Sequence, residues 1–503
     1  MVLRRWWKGG CGSVLYSVVA LTLISCGGGG SPSQPAPPPP VNVPLTLLST
    51  DTFTNNSSQH ATEVEAHALG VGSTIVSTFQ VGRIFGGGGA DIGFATTTDG
   101  GANWTSGFLP GLTVFEGSGL FTAASDPVVA YDAAHVVWLI NTLPIGTSAE
   151  VAVSRSSDGL NWGNPIIVST TTDSDKNWIV CDNTASSPFY GHCYVEWDDP
   201  SAGAGLVWMR TSTDGGLTWG APLNSADLVR GIGGVPVVQP DGTVVVPIEA
   251  WDGMHMLAFT SIDGGSTWKA STVISKISDH TAAGSLRTSA LPSAAADANG
   301  TVYVVWQDCR FRSNCASNDI VLSTSTDGLS WTMPVRIPID ATSSSVDHFI
   351  PGLAVDPASS SPAHLGLTYY FYPTANCSGS SCNLMAGFIS SPDGGLSWSN
   401  AMPIAGPMAL DSLPNTFAGL MVGDYVATGF SGGKAFSVFA VAHNKSGVVF
   451  NEPMYTVTGG VSLAENGVAF ASFAEQPVPH AHSDHPPRQF YDQEHRFPIP
   501  PQD

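Results

Sequence analysis

The sequence predicts an all-β protein, a β-propeller built from four-stranded blades. Three observations carry that reading. Gly (56 residues) and Pro (36 residues) are abundant in the 503-residue chain, and charged residues make up only 12%. Such a mix suits many short strands and turns rather than long helices. A turn-like motif recurs six times. Alternating apolar runs, of the kind that bury one side of a strand, flank each copy.

The motif is a hydroxyl residue, any residue, Asp, Gly and, a few residues on, Trp. Its copies run Thr97–Trp104, Ser156–Trp162, Ser212–Trp219, Ser261–Trp268, Ser325–Trp331 and Ser391–Trp398. The Asp stands at 99, 158, 214, 263, 327 and 393, in steps of 49 to 66 residues. Those steps suit a four-stranded blade with variable loops. The Asp accepts backbone N–H bonds from its own turn, and the Gly supplies a positive φ. The Trp is expected to bury its ring against the next repeat.

Around each copy lie three upstream strands and one short downstream strand, for instance 126–131, 136–140, 151–153 and 165–168. The motif then joins the third and fourth strands. Innermost strands are expected to begin near Glu63, Asp126, Trp178, Val235, Pro292, Ile350 and Met421. The seventh repeat lacks both the motif and an outer strand. Residues 45–49 are expected to supply that strand from the other end of the array and close a ring. Seven blades is the preferred number and six the alternative.

The motif closely resembles the Asp-box, or bacterial neuraminidase repeat. By repeat pattern the chain is similar to the exo-α-sialidases over roughly residues 44–475. The resemblance implies a sialidase-like propeller, six-bladed in that family. It also implies three arginines that grip a sugar carboxylate, a Tyr nucleophile assisted by Glu, and an Asp acid/base. Carried over by order along this chain, Arg83, Arg287 and Arg310 bind substrate and Asp126 is the acid/base. Glu249 then assists Tyr370, or Tyr372. The family's Arg-Ile-Pro reads Arg83-Ile84-Phe85 here, so its proline is missing.

All of these residues fall on loops opposite the Asp-boxes, because second-to-third-strand loops and inter-blade connections share one face. The boxes are therefore structural. Each candidate also has a plain structural reading. Asp126 caps a strand, Arg310 solvates a disulfide loop, Tyr370 packs a rim, and Glu249 is an interface polar group. Three functions compete: an exo-glycosidase acting on a terminal acidic sugar such as sialic acid, a non-catalytic glycan- or protein-binding propeller, and an assembly scaffold. Convergence of the arginines with a Tyr–Glu pair separates the first from the others.

The ends point to export. Residues 1–25 read as a signal, with Arg4, Arg5 and Lys8 ahead of an apolar stretch from Val14 to Ile24. Leu23-Ile24-Ser25-Cys26 resembles the bacterial lipobox, which makes Cys26 the lipidation site. Residues 26–43 form a Gly- and then Pro-rich tether. Residues 476–503, with His480, His482, His485 and His495, read as a disordered tail without a dedicated metal site. The expected location is a bacterial membrane surface, facing periplasm or exterior, and the expected state is a monomer. A formal net charge of -22 disfavours nucleic acid as a partner. Six cysteines remain beyond Cys11 and Cys26. Spacing leaves their pairing open, but the local pairs 181/193, 309/315 and 377/382 are favoured. No cofactor and no metal ligands are expected, and a structural Ca²⁺ ion stays open.

Overall fold

The computed structural model describes residues 38–146, 150–170, 173–201, 205–359 and 361–463. The expected signal, Cys26, most of the tether and the 476–503 tail lie outside the described residues. The regular secondary structure of those residues is almost wholly β. Three single-turn 3-10 segments are the helical elements among them.

The strands form a series of antiparallel meanders. The first is Glu63–Val71, Thr74–Arg83, Gly89–Thr97 and Thr105–Phe108. The second is Ala123–Asp132, Val137–Ile145, Val151–Ser156 and Ile166–Ser169. The third is Asp175–Cys181, Cys193–Asp199 and Leu206–Ser212, with a single bridge from Met209 to Leu223 at its edge. In the fourth, Gly231–Ile232 and Val237–Val238 both pair with Val244–Ala250, followed by His255–Ser261 and Thr272–Lys276. The fifth is Ser293–Ala296, Val302–Asp308, Asp319–Ser325 and Val335–Arg336. The sixth is Asp347–Val355, Leu365–Tyr372, Asn383–Ser391 and Met402–Ala409. The last is Ala427–Ser431, Lys434–Ala440 and Met454–Val457, and Leu45–Leu47 adds to it with Leu45 opposite Val457.

First strands of successive meanders lie beside one another, and Ala427–Ser431 contacts both Asp347–Val355 and Glu63–Val71. The core sits between meanders rather than within them. Val128, Leu139 and Val153 of the second pack with Ile179, Val195 and Trp197 of the third. Val245 and Met256 of the fourth pack with Val304 and Trp306 of the fifth. A second strand is thereby covered on both sides. This is why Val244–Ala250 and Val302–Asp308 are buried at every residue, and why their sequences run apolar instead of alternating.

The Asp-box chemistry is local, as its residues predict. Asp158 Oδ1 accepts from the Ser156 hydroxyl at 2.9 Å and from the backbone N–H groups of Leu160 and Asn161 at 2.8 Å each. Those donors, the Asn161 N–H first, hold the carboxyl below its usual range. Gly159 sits at φ 71°, and its carbonyl accepts from the Thr96 hydroxyl of the first meander at 2.6 Å. A Cβ on Gly265 would lie 2.2 Å from Thr211 Oγ1 of the preceding meander. The tryptophans follow the same direction, which corrects the sequence expectation. Trp162 packs on Phe94, Trp268 on Tyr194, and Trp104 on Phe436, each with ring centroids within 6.3 Å. The ring buries against the preceding repeat because the box turn folds back over that repeat's second and third strands. Asp158→Ala should lower stability by about 1 kcal/mol, the scale of one exposed charged hydrogen-bond acceptor. A urea midpoint shift at constant slope checks it.

Three disulfides link Cys181–Cys193, Cys309–Cys315 and Cys377–Cys382. The last two close loops between second and third strands, on the face away from the Asp-boxes.

Candidate functional site

Four first strands carry the same irregularity. Their pairing slips between Val64 and His67, between Ser125 and Val128, between Asp175 and Trp178, and between Phe349 and Gly352. At each slip one residue takes a left-handed backbone: Glu65 (φ 57°), Asp126 (47°), Lys176 (46°) and Ile350 (51°). A β-bulge re-aims a side chain, and a non-Gly residue at positive φ persists only where its surroundings hold it. Here three of the four are charged, and they meet.

Lys176 is the centre of that meeting. Its Nζ lies 2.5 Å from Asp424 Oδ2 and 3.5 Å from both Asp126 Oδ2 and Glu65 Oε1. Arg287 donates from Nε to Asp424 Oδ1 at 2.7 Å and from its second nitrogen to Oδ2. Gln80 donates to Glu65 and, at 3.1 Å, to the Ser125 hydroxyl, which donates on to Asp126 at 3.0 Å. Arg83 joins through Gln80 Oε1 at 3.4 Å and the Gly88 carbonyl at 2.8 Å. Burial, then the charge of Asp126, pushes the Glu65 carboxyl well above its usual range. With Glu65 protonated, two cations (Lys176, Arg287) face two anions (Asp126, Asp424).

Tyr425 follows directly. Its hydroxyl donates to the Pro127 carbonyl at 3.3 Å, and its ring meets Trp178 edge-on at 5.4 Å. Burial first, and then the carboxylate charge of Asp126, pushes its phenol up. Trp178 in turn meets His67 at 5.0 Å, whose imidazole burial lowers to about 3. The hairpin of Asn415–Thr416 and Gly419–Leu420 ties down the surrounding loops. Leu420 exchanges backbone bonds with Ser285 and Arg287 at 2.9 and 2.8 Å. Gln59 reaches Asn415 at 2.7 Å, and the Phe417 N–H reaches Phe85 O at 3.3 Å. The charged cluster is closed to solvent: Lys176, Asp126 and Arg287 are 4%, 2% and 4% exposed.

The structure thus brings Arg83, Asp126 and Arg287 into one network and leaves three other candidates elsewhere. Arg310 grips Asp308 at 2.8 and 2.7 Å and the Ser275 hydroxyl at 3.0 Å. Glu249 is buried in the middle of the fourth meander, opposite Ile232 and Met256. Tyr370 lies between the sixth and last meanders. Its hydroxyl donates to Ala440 O at 3.1 Å and accepts from Ala440 N at 2.9 Å. The carboxylate whose charge pushes the Tyr370 phenol up, after burial, is Glu452. The expected Tyr370–Glu249 pair is not formed, because the Tyr370 hydroxyl is spent on the Ala440 backbone. Tyr372 likewise spends its hydroxyl on the Ala283 carbonyl at 3.2 Å. Glu65, Asp424 and Tyr425 were missed. The signal for Glu65 was in the chain: like Asp126 and Lys176, it is a charged residue near the start of a first strand.

Among the described residues one set of three ligating side chains is close enough for a metal, Asp319, Asp340 and His348. It does not suit a cation. Arg312 and Arg336 already pair with both carboxylates.

Residues 146–351 match the BNR repeat-like domain family. A search of curated proteins finds no significant relative. Among solved structures, the chain is similar to a protein of unknown function from Dyadobacter fermentans, at 17% identity and TM-score 0.43, over 69% of this chain and 99% of that one. A Hadza microbial sialidase aligns at 14% identity and TM-score 0.42, over 75% of each chain. The NanB sialidase from Streptococcus pneumoniae aligns at 13% identity and TM-score 0.41, over 83% of this chain and 70% of that one. The six Asp-box turns agree with the BNR repeat-like match, four of them lying within residues 146–351.

Proposed function

We propose that this chain is an exported, lipid-anchored, non-catalytic propeller that binds a macromolecular partner on the face opposite its Asp-boxes. The blades are seven, and Leu45–Leu47 closes the ring by completing the last one. That reading is supported by the pairing of Leu45 with Val457 and by the contact of Ala427–Ser431 with Glu63–Val71. Export and anchoring through Cys26 rest on the sequence alone.

One observation carries the non-catalytic reading: the groups a sialidase would turn toward its sugar are spent inside the protein. Arg287 is committed to Asp424, Arg310 to Asp308, and Tyr370 to the Ala440 backbone. A substrate carboxylate would have to displace those partners from buried positions, and losing a buried charged pair costs several kcal/mol. Exposed apolar side chains on the same face, Phe85 (50% exposed) and Leu120 (86%), suit a protein partner better than a sugar.

A second reading has one observation in its favour, the placement of Tyr425 beside Glu65 and Asp126. Those are the residue types of a Tyr nucleophile with carboxylate partners. Purified protein incubated with a fluorogenic sialoside and a panel of other fluorogenic glycosides decides between them. The expected result is no turnover above blank. Turnover that disappears in Tyr425→Phe would establish hydrolysis and end the non-catalytic reading.

A further inference from the structure

The seam where the first meander meets the last holds two carboxyl groups in an arrangement suited to protons. Thr62 bridges to Glu452, the Glu63 N–H donates to the Glu452 carbonyl at 2.9 Å, and the Glu452 N–H donates to Ala61 O at 2.8 Å. This backbone zipper places Glu63 and Glu452 side by side. Their side chains are shut off from water, at 1% and 0% exposure. Neither carboxyl oxygen of Glu452 and only one of Glu63 has a hydrogen-bond partner.

The groups that face them offer no positive charge. Asp51 stands beside Glu63, itself bonded to the Ala61 N–H at 2.8 Å and to His60 Nδ1 at 3.1 Å. The Ser49 hydroxyl bonds Glu63. From the sixth meander comes the Tyr370 phenol, and from the last the Tyr455 phenol. Among the described residues no Lys or Arg pairs with either glutamate. Nor do three ligating groups gather there in a way that would hold a metal ion. Two like charges in a water-free seam cannot both ionise, so at least one proton stays.

We infer that this seam is a proton-dependent latch: Glu63 and Glu452 keep the first and last repeats joined while protonated, and part them when both ionise. The inference rests on the closed-ring reading above. Burial, with the charge of Asp51 on Glu63 and of Glu63 on Glu452, pushes both carboxyls well above the ordinary range. The sign follows. A carboxyl whose folded pKa is raised contributes its full stability below the unfolded value, about 4.3 for Glu, and loses it as pH rises through the folded pKa. The segment released would be Leu45–Leu47, the strand next to the tether.

Amide hydrogen exchange on the full-length protein tests the latch, read at Leu45–Leu47 and Met454–Val457 and corrected for intrinsic rates. Wild type should lose at least about tenfold in protection between about pH 5 and about pH 8, one pK unit of linkage or more. Glu452→Gln, neutral and nearly isosteric, should keep acid-level protection at the higher pH. Glu63→Gln in the facing strand gives the same readout should the first variant misfold. Protection that does not change with pH, or that changes equally in both Gln variants, overturns the latch. If Ca²⁺ restores protection at high pH and EDTA removes it, the seam is a cation site and the latch also falls. If Leu45–Leu47 is unprotected at every pH while Met454–Val457 stays protected, the closed ring is wrong, and the latch falls with it.

Discussion

Lys176→Met should cost about 3–5 kcal/mol of stability, the range for removing one partner from a buried ionic cluster. The methionine keeps most of the apolar stem, so the loss isolates the charge. Lys176 Nζ reaches Asp424, Asp126 and Glu65 at once. Arg287 stays on Asp424 after the substitution, but Asp126 keeps only neutral partners, the Ser125 hydroxyl, the residue-176 backbone N–H and the Glu65 carboxyl. Asp198 also faces Lys176 and is already pushed up by burial and by the charge of Asp175. With Asp198, like Glu65, held protonated, Asp126 would be left as a buried anion with no cation beside it. Domains of ordinary size are stable by only about 5–15 kcal/mol, so the loss is a large share. The double variant Lys176→Met/Asp126→Asn should recover about half, because it removes the anion left unpaired. Urea unfolding of the two single variants and the double measures both effects. A loss below about 1 kcal/mol for Lys176→Met would mean that water reaches the cluster.

The same cluster marks where sequence reading stops. The Asp-box turns were legible because their chemistry is contained within eight residues. Ser156, Asp158 and Gly159 need no distant partner to state their roles in the turn. The first-strand starts near Glu63, Asp126, Trp178, Pro292 and Ile350, and the pairing of residues 45–47 with 454–457, were legible from apolar patterning and from a missing outer strand, whereas the last first strand begins at Ala427 and not near Met421. The direction in which Trp162 packs was not, since periodicity says that a side is buried without saying by which neighbour. The site was less legible still. Asp424 meets Lys176 and Arg287 only because the last meander returns to the first. The positive φ at Glu65, Asp126 and Lys176 has no local mark, for none of them is Gly. Scarce arginines were rightly noticed, but what an arginine does is decided by its partners. Arg287 and Arg310 found theirs within the chain.

Arg312→Ala should also cost about 3–5 kcal/mol, and it should fail in a way that Arg312→Lys reveals. Arg312 donates from Nε to Asp319 Oδ2 at 2.9 Å and from Nη2 to Asp319 Oδ1 at 2.5 Å and Asp340 Oδ1 at 2.7 Å. From Nη1 it reaches the carbonyls of Ala341 and Ser344 at 3.0 and 3.1 Å. One planar fork therefore joins the third strand of the fifth meander to the loop leading into the sixth. Without it, Asp319 and Asp340 share Arg336 alone. His348 is a poor replacement for the lost charge, because burial lowers its pKa. A lysine restores the charge but has neither the fork nor the reach to hold two carboxylates and two carbonyls together. Arg312→Lys should therefore recover the carboxylate pairing, about half of the loss, and leave the carbonyls of 341–344 unpaired. Urea midpoints give the energies, and faster amide exchange at residues 341–346 in both variants locates the damage. Full recovery by Lys would mean that charge alone, and not the geometry of the fork, holds this junction.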